Sequence, residues 1–197
     1  LFVDSDQILS PSVIEECVEK CEEENVGMVR IPEIFIGKSF WSSCSAAWKN
    51  WYFKVEKLRE NSKNIMTGEP RFFVKECIVQ VGMLNESLLW GEDYDLYKRM
   101  EEMGIKEASC KSKLYHYELT SINKILAKNL QYGKSTPIFL QQTKTKIFSP
   151  MLKHALLTFR EVFRNFKRHP SIIVGCAFLL FIKACSIMVG LLTSSLD

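Results

Sequence analysis

Twenty-three consecutive residues near the C-terminus, Ser171 to Thr193 (SIIVGCAFLLFIKACSIMVGLLT), carry one charge, Lys183. A bilayer takes about 20 apolar residues to cross, so a membrane helix over 170–194 is expected. A signal peptide is excluded by its position in the chain. Lys183 is the difficulty, because an ammonium near the membrane centre costs at least about 2.5–3.5 kcal/mol. Either it faces another helix, or the run is the buried helix of a soluble domain.

The segment before this run carries a second pattern. Leu152, Leu156, Phe159, Phe163 and Phe166 repeat at helical spacing, and Lys153, Arg160, Arg164, Lys167 and Arg168 stand between them. An amphipathic helix over 149–169, lying in the interface against anionic lipid, is expected. Lysines and arginines beside a span mark the cytoplasmic side, so the remainder of the chain is expected in the cytoplasm.

That remainder, 1–148, reads as an α/β domain. Leu1-Phe2-Val3 reads as a buried strand ending in Asp4-Ser5-Asp6, so the chain is expected to start inside a domain whose upstream part precedes it. Ser10-Pro11 suits a helix start, followed by Val13, Ile14, Cys17, Val18 and Cys21 on one face, with Gly27 near its end. Strands are expected at Met28–Ile31, Arg71–Val74 and Ala108–Tyr115, the last ending at His116. Helices are expected at 39–59, with an aromatic stripe of Trp41, Trp48, Trp51 and Tyr52, and at 76–81. Two more are expected from Glu92 to Gly104, with Leu96, Met100 and Met103 inward, and from Ser121 to Tyr132. Seven cysteines lack the two-residue spacing of a zinc knuckle and read as reduced thiols. A net charge of +3 is mild, and no nucleic-acid partner is expected.

Chemistry concentrates in two acid clusters. In open α/β sheets ligands bind beyond the carboxyl ends of strands, where paired carboxylates such as Asp4 and Asp6 suit a hard divalent cation. Glu92-Asp93-Tyr94-Asp95 opens a helix; its acids either complement the helix dipole or present a general base at a loop-to-helix junction. His116 stands between two tyrosines and reads as a packed or a functional imidazole. Tyr132-Gly133-Lys134-Ser135-Thr136 looks like the end of a phosphate loop, but the required earlier glycine position holds Lys128, so that reading fails.

Taken in order, these pieces resemble the family-2 inverting glycosyltransferases of the GT-A fold. The resemblance rests on Asp4-Ser5-Asp6 with Gln7 to Pro11 behind it, Arg71-Phe72-Phe73, and Val81-Gly82-Met83-Leu84-Asn85-Glu86. It continues through Leu89-Trp90-Gly91-Glu92-Asp93-Tyr94-Asp95-Leu96, Lys98-Arg99-Met100, Gly104, Tyr115-His116 and Gln131 to Lys134. It implies a Rossmann-related mixed sheet flanked by helices, with the N-terminal half of that fold upstream of this chain. It also implies a nucleotide-sugar donor, Mg²⁺ or Mn²⁺, and a lipid-linked or saccharide acceptor. Asp4 and Asp6 would hold donor and metal, and His116 would complete the metal site. Asp93 would be the base, supported by Glu92, with Arg71, Trp90 and Lys134 near the acceptor. No Gln-x-x-Arg-Trp motif of the processive synthases is present, so a single sugar transfer is expected. The alternative is a catalytically inactive, membrane-tethered sugar-nucleotide or glycan-binding module.

Overall fold

The computed structural model describes residues 1–57, 70–88, 90–143, 158, 160, 162–164 and 169–194. The architecture is mixed α/β, with two small mixed sheets, helices, and one C-terminal apolar helix. The chain divides into two compact units, Leu1–Ile34 with Gly68–His116, and Phe35–Thr67 with Tyr117–Asp197.

The first unit is organised around strand β2 (Met28–Arg30). It pairs antiparallel with β4 (Phe72–Phe73) and parallel with β5 (Glu107–Ser109). Successive side chains of a strand point to opposite faces. Val29 therefore joins Val13 and Cys17 of α1 (Val13–Glu24), while Met28 joins Phe73 and Leu96 and Met100 of α4 (Glu92–Glu102). Both faces of β2 are covered, which is why Met28-Val29 has no polar alternation: the two are 1% and 0% exposed. The short helix α3 (Lys75–Gln80) packs on the α4 side through Cys77 and Ile78.

A second sheet has the order β1 (Gln7–Leu9), β6 (Leu114–Tyr117), β3 (Glu33–Ile36). Strand β1 is antiparallel to β6, with Gln7 opposite His116. The Leu114 N–H donates to the Pro32 carbonyl and the Glu118 N–H to the Ile36 carbonyl. Both partners advance by four residues, so β6 and β3 run parallel.

Several expectations are corrected. Leu1–Val3 is not a buried strand: these residues are 39–44% exposed. One backbone bond, Phe2 N–H to the Arg71 carbonyl, and the Phe2–Phe73 ring contact hold them, which is too little for a ladder. Asp4 and Asp6 therefore precede a strand, β1, and do not follow one. Ser10 does not cap α1; its hydroxyl accepts the Lys113 N–H, and the helix starts two residues later, behind Ser12. Asn25, with φ 50°, ends α1 in place of Gly27. Ile14, Val18 and Met103 are exposed. The single strand expected over Ala108–Tyr115 is two strands in different sheets, with His116 inside the second. Glu16 of α1 accepts the N–H groups of Lys111 and Ser112, and this fixes the bend between them.

The second unit holds α2 (Phe40–Lys57), α5 (Ile122–Thr143) and α6 (Pro170–Thr193). Ser42 Oγ accepts the N–H groups of Lys38 and Ser39 and so caps the start of α2. Cys44, Ile125, Cys176 and Leu179 form the core, with Trp41, Trp48 and Trp51 packed against it. The aromatic stripe of α2 is thus largely spent on helix packing. Helix α5 runs eleven residues past its expected end at Tyr132, through Pro137. An interior proline costs roughly 3 kcal/mol. Burial of Phe139 beyond it, 0% exposed, returns about 1.5–3 kcal/mol. At Gly133 and Gly190 the α5 and α6 backbones touch: a Cβ on Gly133 would lie 2.2 Å from the Ile187 carbonyl oxygen. Most of the basic helix expected over 149–169 lies outside the described residues.

Lys183 does face another helix. Its Nζ donates to Ser45 Oγ of α2 at 3.1 Å. Nearby, Lys49 Nζ donates to Glu118 Oε1, whose side chain is 7% exposed. Burial alone would raise the Glu118 carboxyl, but Lys49 outweighs it and holds the group below the usual carboxylate range. A depressed folded-state pKa stabilises above the unfolded value and loses that stability as pH falls through the folded one. Glu118→Gln is therefore expected to cost about 1–3 kcal/mol at neutral pH. Chemical unfolding of wild type and variant should converge between about pH 5 and pH 3. A pH-independent gap would show that the charge of Glu118 is not what stabilises the unit.

Candidate functional site

Strand β3 opens with Glu33, a residue that sequence reasoning passed over. Its side chain is 7% exposed and meets both Arg71 and His116. Arg71 Nε donates to Glu33 Oε1, and His116 Nδ1 lies 3.0 Å from Glu33 Oε2. Burial would raise the Glu33 carboxyl, yet His116 and Arg71 together hold it below the ordinary range. An ionised carboxylate can only accept, so Nδ1 carries the proton. The opposite nitrogen, Nε2, faces Asp6 Oδ2 at 3.5 Å.

The loop before β1 is held by its own sequence. Gln7, 8% exposed, accepts the Asp4 N–H at 3.0 Å and donates Nε2 to Asp4 Oδ2 at 2.9 Å. The same Asp4 oxygen lies 3.3 Å from Arg71 NH1. Burial would lower the Arg71 guanidinium, but Glu33 first, then Asp4 and Asp93, raise it. Three carboxylates from residues 4, 33 and 93 thus act on one arginine, which stands immediately before β4 with its N–H donated to the Val29 carbonyl of β2.

Gly91, with φ 77°, turns the chain into α4 and puts Glu92 and Asp93 in the first helical turn. Asp93 is exposed and accepts the Tyr94 N–H at 2.8 Å, which fixes its rotamer. Glu92 and Trp90 are half-buried beside it in sequence. The structure brings Asp4, Asp6, Arg71, His116 and Asp93 into one network of contact and field. Lys134 lies on α5 in the second unit, exposed. Glu33 could have been found from sequence only as a lone acid between Pro32 and an apolar strand, where a carboxylate needs a buried partner.

A metal-binding histidine characteristically donates its other ring N–H to a carboxylate, which fixes tautomer and direction. Glu33, His116 and Asp6 have that arrangement. Asp4 Oδ2 is instead engaged by Arg71 and Gln7. Among the described residues no group of three or more His, Cys, Asp or Glu side chains is placed to hold a metal ion. An ion held by Asp6 and His116 would therefore keep most of its coordination positions for other oxygens, as Mg²⁺ and its relatives commonly do with substrate phosphates. The nitrogen donor favours Mn²⁺ over the harder Mg²⁺. No family model, curated protein or solved structure matches the chain.

Replacing Glu33 by Gln removes the acceptor that fixes His116 while keeping the shape. Loss of one partner from a buried charged network is expected to cost about 3 kcal/mol in unfolding experiments. Imidazole ¹⁵N shifts of His116 should move from the Nδ1–H form toward a tautomer mixture, whereas Glu33→Asp should retain part of the wild-type signal. Unchanged ¹⁵N shifts in Glu33→Gln would remove Glu33 from that role.

Proposed function

We propose that the chain is the catalytic part of an inverting, metal-dependent sugar transferase. It moves a sugar from a nucleoside-diphosphate donor to an acceptor hydroxyl at the cytoplasmic face of a membrane. The observation that carries this reading is that Arg71 meets both Asp4 and Glu33, that Glu33 also meets His116, and that the charge of Asp93 acts on Arg71, although the four come from distant stretches of sequence. A purely structural ion pair needs one carboxylate; the remaining exposed acids gain little stability from their positions. The GT-A resemblance supports the same assignment of roles.

In this reading Asp93 takes the proton of the acceptor hydroxyl. Its exposed position at the helix start leaves the acceptor room to approach, and the Tyr94 N–H donates to its Oδ1. The acceptor oxygen forms its bond to the anomeric carbon on the face opposite the breaking bond to phosphate, through an oxocarbenium-like state, so the configuration inverts. Glu92 supports the acceptor side. Asp6 and His116 would hold the divalent ion, which when bound supplies Lewis-acid stabilisation of the departing diphosphate. Asp4, pinned by Gln7 and Arg71, is oriented to accept a hydrogen bond from the donor's sugar hydroxyls.

In the complete protein, with the upstream half that the resemblance implies, Asp93→Asn should lower turnover about 100- to 10,000-fold with little change in donor affinity. Released nucleoside diphosphate and calorimetric donor binding report the two quantities. Normal turnover would remove Asp93 as the base; donor binding without release in the wild-type protein would favour the inactive binding module. Asp6→Ala should weaken Mn²⁺ binding, measured by the free-ion electron paramagnetic resonance signal, and an unchanged affinity would take Asp6 out of the metal site.

A further inference from the structure

Helix α6 has two unlike sides. Val174, Phe178, Phe181, Met188, Val189 and Leu192 are 51–68% exposed and recur at helical spacing along one face. From first to last they cover about 27 Å of helix axis. No charge interrupts them, because Lys183 is turned away to Ser45 of α2. The other side is sealed: Ile173, Cys176 and Leu179 are buried, and Gly190 is pressed against the Leu130 carbonyl of α5.

Length and composition allow α6 to cross a membrane. Its packing points elsewhere. Helix α5 lies directly against α6, backbone to backbone at Gly133 and Gly190. Lys124, Lys128, Gln131 and Lys134 are exposed on α5. A crossing α6 would carry these side chains into hydrocarbon, where ammonium groups are strongly disfavoured. A helix lying along the surface buries the apolar stripe equally well and leaves α5 in water.

Charge selects the kind of surface. The second unit contains 17 Lys and Arg against 5 Asp and Glu, whereas the first contains 9 against 18. The mild net charge of +3 conceals a strongly basic unit joined to a strongly acidic one. The basic unit is the one that carries the apolar stripe. Basic residues beside a buried apolar face bind anionic lipid headgroups.

We propose that the second unit docks on an anionic bilayer with α6 in the membrane plane, its Val174–Leu192 stripe among the upper acyl chains. The docking is independent of the transfer reaction proposed above. It is tested on the full chain with an environment-sensitive fluorophore attached at Val174→Cys, Phe181→Cys or Met188→Cys, each in a Cys185→Ser background. Vesicles are phosphatidylcholine with or without phosphatidylserine and carry quenchers at defined depths. The expected result is one shallow depth at all three positions. Phosphatidylserine should raise binding at least tenfold, and salt should reverse the gain. A shallow–deep–shallow series across the three positions would show a crossing helix and overturn the proposal. Absence of quenching on both vesicles, with concentration-dependent dimerisation in lipid-free solution, would assign the stripe to a second copy of the chain and also overturn it. Phe181→Asp should abolish vesicle binding without lowering the unfolding midpoint, since the side chain is 67% exposed; retained binding would remove the stripe from the contact.

Discussion

Arg71 and Glu33 meet with side chains 21% and 7% exposed, and the placing of Asp4 and His116 beside them follows from that meeting. Removing two charges from water costs several kcal/mol for each, so such a pair persists only when further hydrogen bonds satisfy it. Here they do. Glu33 gains a second donor in His116, and Arg71 gains a second acceptor in Asp4. One buried carboxylate thereby fixes the direction of an imidazole, and one guanidinium fixes the position of a loop. Asp6, 42% exposed, needs no buried partner of its own; the nitrogen it faces has already been aimed.

The sheet registry supplies the rest of that precision. Gln7 and His116 stand opposite each other on antiparallel strands, so the loop that carries Asp4 and Asp6 leaves β1 directly beside the imidazole. A slip of one residue would turn the whole of β1 to its other face. It would move Gln7 off His116 at the same time. Burial of Leu9 and Leu114 with α1 specifies the correct pairing, and so the core of the unit indexes its polar end.

Much of this was legible before the structure. Strand Met28–Arg30, helix Glu92–Glu102 and the helical spacing of Trp41, Trp48 and Trp51 all follow from local periodicity, which a sequence states openly. The errors share one cause, in that a non-local partner decided the outcome. Leu1–Val3 has strand composition but one backbone partner. Ser10 is a good cap that is taken by Lys113, 103 residues away. Residues 108–115 have continuous strand propensity, yet Glu16 breaks them in two by binding the intervening N–H groups. Pro137 is a local stop overridden by packing beyond it. Among the site residues Asp4, Asp6, Asp93 and His116 were visible because their types are chemically distinctive. Glu33 was not, because its importance lies in what it touches.

The same non-local logic resolves the charge in the apolar helix. An isolated Lys183 would cost a crossing helix roughly 2.5–3.5 kcal/mol by insertion scales. Docked on Ser45 it is removed from that account, so Lys183 by itself does not forbid crossing. The decisive charges are on a neighbour. Lys124, Lys128 and Lys134 are each subject to a comparable penalty if α5 enters with α6, together on the order of 8 kcal/mol. Snorkelling of their long stems could recover part of that for residues near an end, but the three span about 15 Å of helix and cannot all reach one interface. Peeling α6 away from α5 would avoid the penalty only by exposing Cys176 and Leu179 and leaving Lys183 without Ser45. The arrangement with the fewest uncompensated groups keeps the three-helix layer intact and wets its basic side.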